Sequence, residues 1–242
     1  DVNALHPFAL GPALLAILNP FQAVWGNAAG VYLTKDLFFS GHIATGEVLR
    51  QLEGHTDSVS SALLSPDGKA IVTASMDQTA RIWDAATGHQ LQELAGHEGQ
   101  VSWAAFSPDG TLVVTAGEDG TARIWDAATG HQLQELAGHG DRVSSAAFSP
   151  DGKFIATAGA DGIAILWDAA TGEQLRTLAG HNGGVWSVAF SPDGKSLITA
   201  SDDQTARIWV TDIDDLLAEA QRLIQRNPPE FTADERQLYG LE

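Results

Sequence analysis

A unit of 42 residues recurs four times along the chain, and this repeat constrains the fold more than any other sequence feature. Each copy begins with a Gly-His pair, continues through the turn sequence Ser-Pro-Asp-Gly and ends at a tryptophan. A fixed period of this length predicts a repeat architecture in which each copy is one supersecondary unit. The recurring marks are His55, His97, His139 and His181; Ser65, Ser107, Ser149 and Ser191; and Trp83, Trp125, Trp167 and Trp209.

Each copy contains four segments that predict β-strands. In the second copy the first is VSWAAFS, whose small residues suit a crowded inner position where neighbouring copies converge. Ser-Pro-Asp-Gly then predicts a type I turn leading into the buried strand LVVTAG. TARIWD is the third strand, and the polar HQLQELAG suits an outer edge exposed to water. One four-stranded antiparallel sheet cannot bury its faces alone, so the copies must pack against one another.

The charge balance limits the classes of partner. Lys and Arg number 13 against 31 Asp and Glu, which gives a formal net charge of −18. This balance opposes nucleic acid and anionic membranes, because both require a positive surface, and it suits basic partners. The absence of cysteine excludes disulfides, thiol catalysis and thiolate metal sites but leaves the compartment open. We expect a cytoplasmic protein.

The regions that flank the repeat follow other patterns. Residues 1–42 lack the three marks of the repeat, and we interpret them as a degenerate N-terminal blade or fragment. Residues 43–210 hold the repeats, and residues 211–242 are predicted to form a C-terminal helical tail. In that tail, Asp212 to Arg226 places apolar residues at helical spacing, and Thr232 with Glu235 predicts the cap of a short last helix.

The Gly-His to Trp-Asp unit resembles the WD-repeat β-propeller family. The resemblance covers about residues 43–210 and implies an all-β fold of four regular four-stranded blades plus the degenerate N-terminal blade. It also implies that a His, a Thr, an Asp and the Trp of each copy form a structural hydrogen-bond network. The matching sets are His55, Thr73, Asp77 and Trp83; His97, Thr115, Asp119 and Trp125; His139, Thr157, Asp161 and Trp167; and His181, Thr199, Asp203 and Trp209.

Two positions of the second strand could supply the hydroxyl of this network. One holds threonine in all four copies, whereas the other holds Ser75, Gly117, Gly159 and Ser201, so the threonines are favoured. A catalytic role for His, Asp and Thr is the alternative interpretation. An active site needs one such set rather than four, and we therefore expect a structural role, with no catalytic residue, no cofactor and no metal site.

The resemblance leaves the closure of the ring open. In the family, the N-terminus often supplies the outer strand of the final blade, and Glu47 to Glu53 is an orphan fourth strand. The copy ending at Trp209 lacks a fourth strand of its own. Either the ring is small, or the N-terminal region adds material, or blades are missing and the arc is open. Open edges would then allow self-association.

The tail sequence LLAEAQRLIQRNPPEFTADERQLYGLE resembles the segment after the propeller in large multidomain bacterial proteins. In those proteins an NTPase, protease or kinase module precedes the repeats. We therefore expect a non-catalytic interaction scaffold or sensor that docks a protein or peptide within a larger signalling polypeptide. The alternative is the regulatory domain of an enzyme whose catalytic module lies outside this chain.

The resemblance also implies a partner-binding face. It would be formed by residues three and five positions after each network histidine and by the residue before each network aspartate. Trp186, Arg142 and Met76 differ from their counterparts and are residue types found at interface hot spots. Packing between blades is the alternative role for Trp186, and Trp103, one position out of phase with it, is expected to be buried. The candidate face comprises Met76, Gln100, Glu118, Arg142, Trp186 and Asp202.

Overall fold

The structure, a computed structural model, describes residues 31–34 and 48–211 of the chain. These residues form seventeen β-strands, and every strand pair is antiparallel. The described residues contain no helix that could cross a membrane. The predicted helices of the C-terminal tail, and most of the predicted degenerate region, lie outside the described residues.

Each repeat copy forms one sheet whose strands pair in chain order. Three of these sheets have four strands, and the last has three because no described strand follows its third, as the sequence of the last copy predicts. The sheets contain β3 (Val59–Leu64), β4 (Ala70–Ser75), β5 (Thr79–Asp84) and β6 (Gln90–Ala95); β7 (Val101–Phe106), β8 (Leu112–Gly117), β9 (Thr121–Asp126) and β10 (Gln132–Ala137); β11 (Val143–Phe148), β12 (Phe154–Gly159), β13 (Ile163–Asp168) and β14 (Gln174–Ala179); and β15 (Val185–Phe190), β16 (Ser196–Ser201) and β17 (Ala206–Val210).

The turn between the first and second strands forms as its sequence indicates. In the second copy, the Gly110 backbone N–H donates to the Ser107 carbonyl at 2.9 Å, which closes the turn. Gly110 has φ +74°, a left-handed conformation that glycine adopts without steric cost. The Ser107 hydroxyl donates to Asp109 at 2.6 Å and accepts from the Leu112 backbone N–H at 2.9 Å. The turn therefore sets the pairing of β7 with β8, the strand that carries the network residue Thr115.

The hydrophobic core lies between blades. Each repeat sheet except the last packs one face, its back, against the opposite face, or front, of the next sheet. Between the second and third copies the front carries Trp167, and the back carries Val114, Ala116, Ala122 and Ile124. The first strands β3, β7, β11 and β15 are consecutive neighbours, as expected for inner positions. Side chains of outer strands also bond to the following blade: Gln92 Nε2 donates to the Ala128 carbonyl at 2.6 Å. Each blade therefore depends on its neighbour for burial.

The N-terminal part of the described chain is a two-stranded sheet of β1 (Val31–Thr34) and β2 (Val48–Leu52). Val31 pairs with Leu52 as Ala80 pairs with Leu94, so β1 and β2 share the register of a third and a fourth strand. Leu52 is buried and packs in the core that contains Trp83. The predicted orphan strand thus pairs with β1, and in the described chain it does not complete the last blade.

Candidate functional site

The four predicted networks have nearly identical geometry. Each tryptophan Nε1–H donates to the threonine Oγ1 at 2.9 Å. Each threonine Oγ1 lies 2.7 or 2.8 Å from the histidine Nε2. Each histidine Nδ1 lies 2.8 to 3.0 Å from an aspartate Oδ2. The structure therefore brings all sixteen residues together as four chains of hydrogen bonds, each running from the third strand to the loop before it.

The donors and acceptors fix the protonation state of the histidines. Thr115 Oγ1 accepts the N–H of Trp125, so its own hydroxyl proton is free to be donated to Nε2 of His97. Nε2 is then unprotonated, and Nδ1–H donates to Asp119. We assign a neutral histidine with its proton on Nδ1, because this tautomer satisfies every group in the network.

Burial and hydrogen bonding shift the pKa values of three network histidines and of Asp77 in the directions that this assignment requires. Burial lowers the pKa of His97 below its usual 6.5 and outweighs the opposing effect of the Asp119 carboxylate. Burial likewise lowers the pKa values of His55 and His139. Burial alone would raise the pKa of Asp77, but hydrogen bonds from Thr79 and His55, with others, lower it to about 2. The pair is therefore a neutral imidazole beside a carboxylate.

Each aspartate also organises the backbone of two loops. Oδ2 of Asp119 accepts the Glu98 backbone N–H at 3.0 Å, and Oδ1 accepts the backbone N–H and the hydroxyl of Thr121 at 3.1 and 2.8 Å. The third copy has Ile163 in place of this threonine, so Asp161 receives only the backbone N–H there, at 3.3 Å. The carboxylate thus ties the loop after the histidine to the loop before the third strand.

Sequence reasoning missed an arginine on the third strand. Arg123 Nη2 lies 3.6 Å from Asp119 and 3.3 Å from Glu135 of the outer strand. The guanidinium therefore joins the network to the edge of the blade. Its signal was the Arg of the repeated TARIWD, which recurs at Arg81, Arg123 and Arg207, with Ile165 at that position in the third copy.

Close packing around the network explains the glycine of each Gly-His pair. A Cβ on Gly96 would lie 2.9 Å from Arg123 Nη1 and 3.2 Å from the Trp125 ring, closer than side chains normally pack. The second-strand serine position also has a separate role, since the Ser75 hydroxyl accepts the Asp77 backbone N–H at 3.1 Å. In the first copy the hydroxyl that contacts both the histidine and the tryptophan is that of Thr73 and not that of Ser75.

The accessibility of the networks indicates what they can do chemically. The side chains of the four histidines are at most 2% exposed, so a substrate could not reach them without unfolding the loops. All the polar atoms that would act in catalysis are already bonded to one another. The arrangement can lock the strands of a blade together, and it offers no open position to a reacting group. The described residues include no group of three or more His, Asp or Glu that could hold a metal ion.

The candidate partner face is built on a backbone feature that recurs in every copy. The residue before the network aspartate donates its backbone N–H to the residue three positions after the histidine, at 2.8 to 3.0 Å. This bond places Glu118 beside Gln100 and Asp202 beside Gly184. Met76, Glu118 and Asp202 are exposed, whereas Gln100 is partly buried. The predicted positions therefore form one rim, which we call the loop rim.

Side chains from three blades meet on the loop rim. The Arg142 guanidinium carbon lies 4.6 Å from the centroid of the Trp186 ring, a cation–π contact. Arg142 Nη1 also lies 3.9 Å from Glu118 Oε1. Trp186 is 41% exposed, which favours a surface role over packing between blades. Trp103, by contrast, is partly buried and packs against the cores on both sides of its blade.

Comparison with known families gives one result that covers most of the described chain. The family model described as "WD40: WD domain, G-beta repeat" matches residues 46–84, 88–126, 130–168 and 172–210. A search of curated proteins found no match. Each matched segment contains the outer strand of one sheet and the first three strands of the next sheet, and together the segments include all four hydrogen-bond networks. The chain therefore belongs to the WD-repeat family, and its sheets are blades of the propeller type.

Proposed function

We propose that the chain is a docking module that binds a basic protein segment or peptide on the loop rim. WD repeats generally serve as scaffolds for protein–protein interaction and are typically non-catalytic. The observation that supports this location is the group of Glu118, Arg142 and Trp186, which come from three blades and converge on one exposed surface. An exposed tryptophan beside a charged pair is a typical anchor for a partner side chain.

The charge of the loop rim supports a basic partner. The loops of the rim carry five exposed carboxylates, one of which, Glu118, lies beside Arg142, and the whole chain carries a formal net charge of −18. A partner rich in Lys or Arg would be attracted to this rim over several ångströms, and its association would weaken with added salt. The exposed carboxylates are those of Asp57, Glu98, Glu118, Asp141 and Asp202.

The test is selection of binding peptides from a random library against the immobilised 242-residue chain, followed by measurement of their Kd values. We expect selected peptides to carry basic residues and to lose at least about tenfold in affinity for Trp186→Ala, as for a hot-spot residue. Leu133→Ala is the matched control, because Leu133 is similarly exposed on an outer strand away from the rim. Equal binding by wild type and by the Trp186→Ala, Arg142→Ala double variant would refute the proposed face.

The wider context stays a prediction. A cytoplasmic location, a role in signalling and attachment to an upstream NTPase, protease or kinase module are expectations from the tail resemblance and the composition. The reading frame upstream of Asp1 tests the last of these directly. A frame that encodes no further domain would remove the regulatory-domain alternative and leave the docking module unaffected.

A further inference from the structure

The last sheet presents an apolar face to solvent, which we call the uncovered face. Strand pairing sets Ile198 opposite Ile208 and Ala200 opposite Ala206. Because side chains alternate along a strand, these four residues and Val210 project from the same side. Ile208 is 75% exposed, and Ile198 and Val210 are 46% and 45% exposed. Such a concentration of exposed aliphatic side chains indicates a surface that another element covers.

The second blade carries an equivalent face that is covered by the blade after it. Two blades earlier, the equivalent residues are Val114, Ala116, Ala122 and Ile124, and none is more than 1% exposed. They are buried against the front of the following blade, in the core that contains Trp167. The uncovered face therefore has the composition of an interface between blades but has no blade after it in the described chain.

The sequence changes where a fourth strand would begin. In the other copies an aspartate follows the tryptophan, and in the second copy its Oδ1 accepts both the backbone N–H and the hydroxyl of Thr129 at 2.7 Å. This contact forms the turn into the outer strand. Val210 takes the place of that aspartate and adds to the uncovered face. The chain is nevertheless held as far as Thr211, whose hydroxyl donates to the Gly194 carbonyl at 2.7 Å.

We propose that residues 212–226 fold back as an amphipathic helix and pack their apolar side on the uncovered face, in the place of a following blade. The segment begins two residues after Val210, so the connection is short. A helix of this length spans roughly 22 Å, which matches the roughly 20 Å of a six-residue strand. Its apolar residues recur at helical spacing, at Ile213, Leu216, Leu217, Ala220, Leu223 and Ile224.

Two observations favour this occupant over a second copy of the chain. The surface that complements a blade's back is the front of another blade, and the front of the first blade already packs against Leu52. A face of five side chains is also much smaller than the roughly 20–30 residues that each partner contributes to a stable interface. A segment that is separated from Val210 by one residue has an effective concentration in the millimolar range or above, so a small apolar area is enough to hold it.

Disulfide trapping tests the proposal in the full chain, which contains no cysteine of its own. Ile208→Cys is combined with Leu216→Cys or with Leu217→Cys, and each pair is oxidised at low protein concentration. We expect at least one pair to form an intramolecular disulfide at least about tenfold faster than the control pair Leu133→Cys with Leu217→Cys, the magnitude expected from tethering. Leu133 is 50% exposed but lies on the outer strand of another blade.

Hydrogen exchange provides a second measurement that does not depend on a new covalent bond. Leu216→Asp with Leu217→Asp should raise the exchange rates of the β16 and β17 amides, whereas Leu91→Asp with Leu133→Asp should not. Trapping no faster than the control, together with unchanged exchange, would overturn the proposal. Disulfide-linked dimers, or a sedimentation coefficient that rises with concentration, would also overturn it and identify a second copy as the occupant. Peptide binding to the loop rim is a separate readout and should not respond to these changes.

Discussion

We call the hydrogen-bond network of Trp, Thr, His and Asp in each blade the blade lock. Its strongest test is Thr115→Val, a nearly isosteric change that removes one hydroxyl. Thr115 is fully buried, and its Oγ1 contacts both Trp125 Nε1 at 2.9 Å and His97 Nε2 at 2.7 Å. Valine fills the same space but leaves both buried nitrogens without a partner. Each unsatisfied buried group costs about 1–3 kcal/mol, so we expect a loss of roughly 2–5 kcal/mol in the free energy of unfolding. Urea unfolding followed by circular dichroism measures this loss.

Two controls separate the network from the general effect of Thr→Val. Thr129 is exposed, and its hydroxyl donates to Asp126 at 2.7 Å, so Thr129→Val should cost less than about 1 kcal/mol. In a Trp125→Phe background the indole donor is already gone, and Thr115→Val should then cost about 1 kcal/mol less than in wild type. A cost for Thr115→Val below about 0.5 kcal/mol, or equal to that of Thr129→Val, would refute the proposed lock.

Further predictions concern pH and backbone conformation. Because the folded-state pKa values of His55, His97 and His139 lie below 6.5, their contribution to stability is complete above pH 6.5 and is lost as pH falls below it, by up to about 1.4 kcal/mol per pH unit for each histidine. The pKa of Asp77, lowered to about 2, adds a second loss of stability as pH falls from 3.8 towards 2. Urea titrations between pH 7.5 and 3 measure the first loss and the onset of the second. Constant stability from pH 7 to 5 would contradict the neutral-histidine assignment. Gln78 has φ 72° where the second copy has Gly120 at φ 79°, so Gly120→Gln should cost about 1–2 kcal/mol, whereas Gln78→Gly should be neutral or slightly stabilising. Thermal melts of both variants check this, and equal destabilisation by the two would show that left-handed strain is not the cause.

The repeat made the strands and the polar contacts within each blade predictable. A constant spacing equates positions between copies, and the side-chain chemistry of Trp, Thr, His and Asp allows one satisfactory order of donors and acceptors. The choice of Thr115 over Gly117 followed from the absence of a hydroxyl on glycine. The bond of Thr115 to both His97 and Trp125 has the geometry that this choice requires.

The sequence does not predict which side chains of adjacent blades contact one another. Spacing shows that Arg142 and Trp186 occupy different positions of the repeat, but the packing of adjacent blades decides that their side chains meet at 4.6 Å. The sequence does not identify the partner of β2 either, because β1 carries none of the marks of a third strand. Only the backbone register shows that Val31 occupies the place of Ala80.

Each blade repeats two kinds of contact, the side-chain network of the lock and the backbone hydrogen bond of the loop rim, and the two constrain different parts of the structure. The lock fixes side chains, because each member is buried and bonded, and its distances vary by no more than about 0.2 Å between copies. The loop rim instead repeats a bond between backbone atoms, such as the one from the Glu118 N–H to the Gln100 carbonyl. A backbone bond sets where a side chain emerges but not which side chain it is. The scaffold can therefore present Met76, Glu118 and Asp202 at equivalent places, and under the proposed function we expect partner specificity to depend on these variable residues.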